Sequence, residues 1–182
     1  MNPNDAGESR ELINAVMETL RQGEFLLQEM DNAAYTCKLA VAFDASIGGH
    51  IRHCLDHFRT LLQAAPAGDL NYDQRQRGTA VETDRLAALQ ETRDLIASYA
   101  KLDPLCTARS LLVTCKTSYS AGGSQVSPST VGREIMYAVA HAVHHYALIG
   151  VMGGVMGLRL PAGFGIAPST LKHQAEAARI AA

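Results

Sequence analysis

The stretch Arg133–Leu148, REIMYAVAHAVHHYAL, limits the fold more than any other part of the chain. An α-helix stacks residues four apart on one face, so His141 and His145 lie together. Glu134 shares that face, because a seven-residue step turns only about 20° around the axis. Ala138, Leu148 and Met152 complete the stripe. A mostly apolar face points into a core, and imidazoles carried into a core need hydrogen-bond partners or a metal.

A second stretch, Gly48–Thr60 (GGHIRHCLDHFRT), brings His50, His53 and His57. At about 100° per residue these three fall within about 60° of one another. Of the 7 histidines only His173 is far in sequence from both groups. Three imidazoles with a fourth position open are the donor set of a catalytic zinc, with nickel or iron as chemical alternatives.

The helical period recurs over Glu8–Met30, with Leu12, Val16, Leu20 and Leu27 as core candidates and Ser9 or Asp5 as caps. Residues 1–7 read as a loose tail. Tyr35 and Phe43 are expected to pack down from the connection Asp31–Phe43. A second helix spans about Ser46–Ala64, capped by Asp44 or Ser46 and ended by Pro66, Gly68 and Asn71. Asp69–Gly78 reads as a loop. Thr79–Lys101 reads as one amphipathic helix, with Val81, Leu86, Leu89, Leu95 and Ile96 apolar and Pro104 beyond its end. The β-branched LLVTCKT and the AGG that follows predict a short hairpin. Ser127–Thr130 then caps a fourth helix, Ser129 to about Val155. A short last helix starts near Pro168. Four long helices on short connections predict one all-α domain, 1–182, built as a four-helix bundle, with the hairpin between its third and fourth helices.

With 182 residues and 47% hydrophobic composition, the chain can bury a sizeable core. Its net charge of −2 and lack of Trp argue against nucleic-acid binding. The 4 cysteines, Cys37, Cys54, Cys106 and Cys115, have no CxxC spacing. With no secretory leader visible, reduced thiols and a cytoplasmic location are expected. The apolar run Ala138–Leu158 holds histidines and glycines, which argues against a membrane span. HAVHH lacks the glutamate of HExxH, so a zincin protease is not expected, and no GxSxG, P-loop or GxGxxG is present.

Together the two histidine stretches resemble the DinB/YfiT-like family of metal-binding four-helix bundles. The resemblance covers most of the chain but is carried by HIRHCLD and HAVHH. It implies an up-down-down-up bundle that often dimerises. It also implies an HxxxH ligand pair, matched by His141 and His145, and one ligand from the second helix. His53 matches that third ligand by motif, whereas the helical wheel alone favours His50. Departures from the family are Tyr146-Ala147-Leu148 in place of Arg-Gly-Gln after the last ligand, and the FGIAPST tail.

The expectation is a divalent cation, zinc first, held by His53, His141 and His145. His50, His57, Glu134, Tyr137 and Tyr146 are candidates to line the pocket. For Glu134 a charge favoured at the helix N-terminus and paired with Arg133 is the preferred role. The activity the resemblance implies is a metal-dependent reaction on a small molecule. A low-molecular-weight thiol or a water would be activated at the cation, as in a thiol S-transferase, with hydrolysis or non-catalytic, stress-related metal binding as rivals. A homodimer is expected, formed through apolar helix faces.

Overall fold

A computed structural model describes residues 3–74, 78–120 and 122–180, and the fold is mainly helical with a small three-stranded sheet. The sheet corrects the expectation of an all-α chain. Helix α1 (Pro3–Glu29) packs on α5 (Arg85–Ala100) and α6 (Val131–Val155), and α3 (Ile47–Ala67) packs on the same two helices. Val16, Leu20 and Leu27 of α1 are buried, as their period demands. Helix α1 already begins at Pro3, so the loose tail expected over 1–7 is helical from there on; residues 1 and 2 lie outside the described residues. Ser9 is therefore no cap. It lies inside the helix, and its hydroxyl is 2.7 Å from that of Thr107.

The connection after α1 contains a short helix, α2 (Asn32–Thr36), capped by Asp31, whose carboxylate accepts from Ala34 N–H. Tyr35 is buried as expected. Phe43 is not: it is 98% exposed, because the chain turns there through left-handed conformations at Phe43 and Asp44. Asp44 consequently sits in the turn, and Ser46 alone caps α3, accepting from Gly49 N–H. Pro66 lies in the last turn of α3 and Gly68 closes it at φ 84°, a conformation costly for residues with a Cβ.

Asp69–Asn71, expected in a loop, forms strand β1 and pairs in parallel with β2 (Ser110–Cys115). Strand β2 pairs antiparallel with β3 (Gln125–Thr130), which is the expected hairpin. The helix expected over 79–101 is broken. Helix α4 (Ala80–Thr83) stops at Asp84, which caps α5 by accepting from Leu86 N–H. Asn32 bridges the break, donating to Thr83 C=O and accepting from Arg85 N–H. Leu86, read as apolar packing, sits in the first turn after the break and is 60% exposed.

Thr130 caps α6, accepting from Arg133 N–H. Helix α6 is long and apolar enough to cross a membrane by length and composition, yet its inner face is buried in the protein's own core. Helix α7 (Pro168–Ile180) has no buried residue and carries the exposed His173.

Candidate metal centre

Helices α3 and α6 face each other, and the contact carries the histidines of both. His53, His141 and His145 each offer a ring nitrogen, and these atoms all lie within 4.8 Å of one another. His53 Nε2 is 2.8 Å from His141 Nε2. Each ring is half-buried, which suits a donor at the edge of a core and not one in bulk water.

His50 and His57 flank the trio at opposite ends. His50 Nδ1 lies 2.8 Å from His145 Nδ1. His57 is buried, with its ring centroid 4.4 Å from His141 and 4.8 Å from His53. Tyr137 stacks on His141 at 5.6 Å, and the Arg133 guanidinium lies over the Tyr137 ring, 5.6 Å from its centroid. His144, one residue round the helix, is exposed.

Glu134 is fully buried one layer away. It accepts from Tyr72 Oη (2.9 Å), Ser129 Oγ (2.6 Å) and Arg133 (2.8 Å). This matches a charge at the start of α6 paired with Arg133, with two further donors that its sequence neighbourhood does not announce. Tyr72 in turn lies 4.7 Å from the His57 ring. Burial first, then the Glu134 charge, pushes the Tyr72 phenol far above its ordinary range, so it stays a donor. Tyr146, expected in the pocket, instead sits in the core. It stacks on Phe164 at 4.9 Å and presses on Gly23. Cys54, beside His53 in sequence, is buried and its thiol is pushed well up by burial, so it packs as a small apolar group.

A cavity of about 430 Å³ opens onto His50, His53 and His145. Lys38, Asp44, Ser46, Arg52 and Glu82 make up its polar wall. Arg52 is held from below by Asp56 (3.0 Å) and pairs with Glu82 at 3.3 Å. Asp56, buried, also takes Arg59. The Arg52–Glu82 pair ties α3 to α4 on the side of the cavity. Sequence reasoning missed Tyr72, Lys38 and Arg52, since nothing in their spacing links them to a histidine.

The donor set fits a divalent transition metal. Three neutral imidazoles suit zinc, nickel or iron. Moreover, His50 Nε2 is buried beside the trio and has no hydrogen-bond partner among the described residues.

Burial, with His144 second, holds the His50 pKa below its ordinary 6.5. The unfolded chain then takes up the proton first as pH falls, so stability from this group is complete above pH 6.5 and is lost below it. Thermal melts are expected to hold steady between about pH 7 and 8 and to fall below about pH 6.5, where an unfolded imidazole protonates. The fall should be shallower in His50→Asn; an equal slope in both proteins would remove His50 from the account.

No family model and no solved structure matches the chain. It is 35% identical over 104 residues to FK506-binding protein 5 of Rhizopus delemar, which is 57% of this chain and 27% of that protein. The chain thus spans about a quarter of the length of the curated relative it matches. This match overturns the expectation of a metal-dependent thiol transferase, with its hydrolase variant, because the related protein is named for binding FK506 and not for group transfer. The DinB/YfiT-like identification gains no support from these comparisons. What the chain is similar to, over the larger part of its length, is a segment of an FK506-binding protein.

Proposed function

We propose that the chain binds one divalent cation through His53, His141 and His145, and that it does so as a helical binding module. The observation that carries this is the convergence of ring nitrogens from two separate helices to within 4.8 Å. When bound, the cation supplies a positive centre for an oxygen donor of a ligand. The chain's own residues do the rest. Tyr137 and His57 wall the site with aromatic surface, and Lys38 and Arg52 together with Asp44 and Glu82 give the cavity wall both signs of charge. The packing of α1, α3, α5 and α6 supports a four-helix-bundle arrangement of the long helices. Exposed Met136, Val151 and Val155 on α6 support self-association through that helix.

Titration calorimetry of untagged, metal-stripped protein with zinc tests this reading. One equivalent bound at micromolar or tighter affinity is the expected result, and no binding of zinc, nickel or iron would end it.

The match to FK506-binding protein 5 favours a second reading, in which this chain itself takes FK506 or a ligand of that class. Titrating FK506 into the same protein, with and without zinc, decides it. Saturable binding to this chain supports the reading, and none would assign FK506 binding in the relative to the rest of its length.

A further inference from the structure

We propose that His50 is a positioning residue which fixes the protonation pattern of His145. By accepting a hydrogen bond from His145 Nδ1–H, it leaves Nε2 as the nitrogen that His145 turns to a cation. This rests on the reading of His53, His141 and His145 as cation ligands.

Two imidazole nitrogens 2.8 Å apart can hold only one hydrogen between them, and here both are Nδ1. If His50 donates that hydrogen, a neutral His145 must carry its own on Nε2. Neither nitrogen of His145 then has a lone pair for a cation. If His145 donates, its Nε2 is unprotonated and basic, and the donated hydrogen bond strengthens it as a ligand. Only the second arrangement is compatible with a cation shared with His53 and His141.

The fold sets His50 up for this task. It lies in the first turn of α3, which Ser46 caps through Gly49 N–H, so its backbone is held at the helix start. Its ring meets His145 at a 46° tilt with centroids 5.1 Å apart. The contact with His145 is the side-chain hydrogen bond that His50 makes among the described residues; neutral His50, accepting there, carries its own hydrogen on Nε2, which is buried without a partner. His50 lies between the open cavity and a smaller, mostly apolar pocket that Leu148 and Met152 also line.

Asparagine tests this directly, because its amide oxygen hangs from Cγ where the imidazole Nδ1 does and accepts but does not ligate strongly. Phenylalanine keeps a ring and removes the acceptor. Zinc affinity is measured for the wild type, His50→Asn, His50→Phe and His141→Ala. Long-range ¹⁵N–¹H spectra of the metal-free proteins give the tautomer of His145. The expected results are a loss of about 10–100-fold in affinity for His50→Phe, the range for groups that orient a metal-bound histidine, and near wild-type affinity for His50→Asn. His145 should be protonated on Nδ1 in the wild type and His50→Asn, and move towards Nε2 protonation in His50→Phe. His145 protonated on Nε2 in the wild type, unchanged affinity in His50→Phe, or failure of His50→Asn to restore binding would each overturn the proposal, the last by making His50 a ligand itself. Equal zinc binding by the wild type and His141→Ala would instead overturn the three-histidine site, while the spectra still decide the role of His50.

Discussion

His141→Ala is expected to weaken zinc binding by more than about a hundredfold, or about 2.7 kcal/mol. His141 is the centre of the array. Its Nε2 lies 2.8 Å from that of His53, and its ring touches those of His53, His57, Tyr137 and His145. Alanine leaves two donors of the three, and two imidazoles hold zinc far less firmly than a site that fixes its geometry. His57, 4.4 Å from His141 by ring centroids, is the residue placed to substitute, so residual binding should vanish in the His57→Ala, His141→Ala double variant. The metal-free thermal midpoint should fall by only about 2–4 °C, the shift that 1 kcal/mol of lost ring packing produces in a chain of this size. Zinc just sufficient to saturate the wild type should raise its midpoint by more than that of the variant, because stabilisation by mass action falls as the site weakens. An unchanged affinity would show that zinc, where it binds, binds elsewhere.

That variant can be named from the sequence because His141 and His145 are legible there. The i, i+4 spacing, the apolar stripe between Glu134 and Met152, and the cap at the start of the helix are all local signals. The structure places α6 over Val131–Val155, within two residues of the expected start. Helix α3 is equally local, with Ser46 as cap and Gly68 as terminator. What the sequence withheld depends on distant partners. Asp69–Asn71 carries no strand pattern of its own and is a strand only because β2 lies beside it. The break at Asp84 is stabilised by Asn32, which sits in another helix far upstream. Phe43 and Leu86 look like core residues by composition, yet a left-handed turn and a helix start turn them outward. In the site the same division holds. A helical wheel cannot show that His50 meets His145 or that Tyr72 reaches Glu134, since both contacts join segments that only tertiary packing brings together. Tyr146 illustrates the reverse case: it adjoins a ligand candidate in sequence, but a turn of about 100° per residue sends it to the core.

The seam that holds the cluster's first helix in place can be tested from a residue that carries no chemistry. Gly48→Ala is expected to destabilise the protein by about 3 kcal/mol, the upper range for overpacking a filled core. Gly48 is buried in the first turn of α3. A Cβ there would collide with the backbone carbonyl oxygen of Glu82 and stand 2.9 Å from the Tyr35 ring. Neither neighbour can yield cheaply. Glu82 is backbone within α4, which Asn32 and Asp84 fasten on its far side, and Tyr35 is buried with its hydroxyl bonded to Val81 C=O at 2.5 Å. Against this, alanine gains only about 1 kcal/mol over glycine in a helix. A thermal midpoint lower by about 6–12 °C follows at 2–4 °C per kcal/mol. Gly49→Ala is the control next door. Its Cβ would meet only Ser46 Oγ at 3.6 Å, an ordinary contact, so the helix gain should remain and stability should be equal or higher. Because His50 and His53 ride on the same turns, relief of the Gly48→Ala collision by sliding α3 should also weaken zinc binding, whereas Gly49→Ala should leave it as it is. Equal stability of the two variants would mean that α3 and α4 are not packed at Gly48, and the His50 end of the site would then rest on the Arg52–Glu82 pair and the packing of α3 on α6.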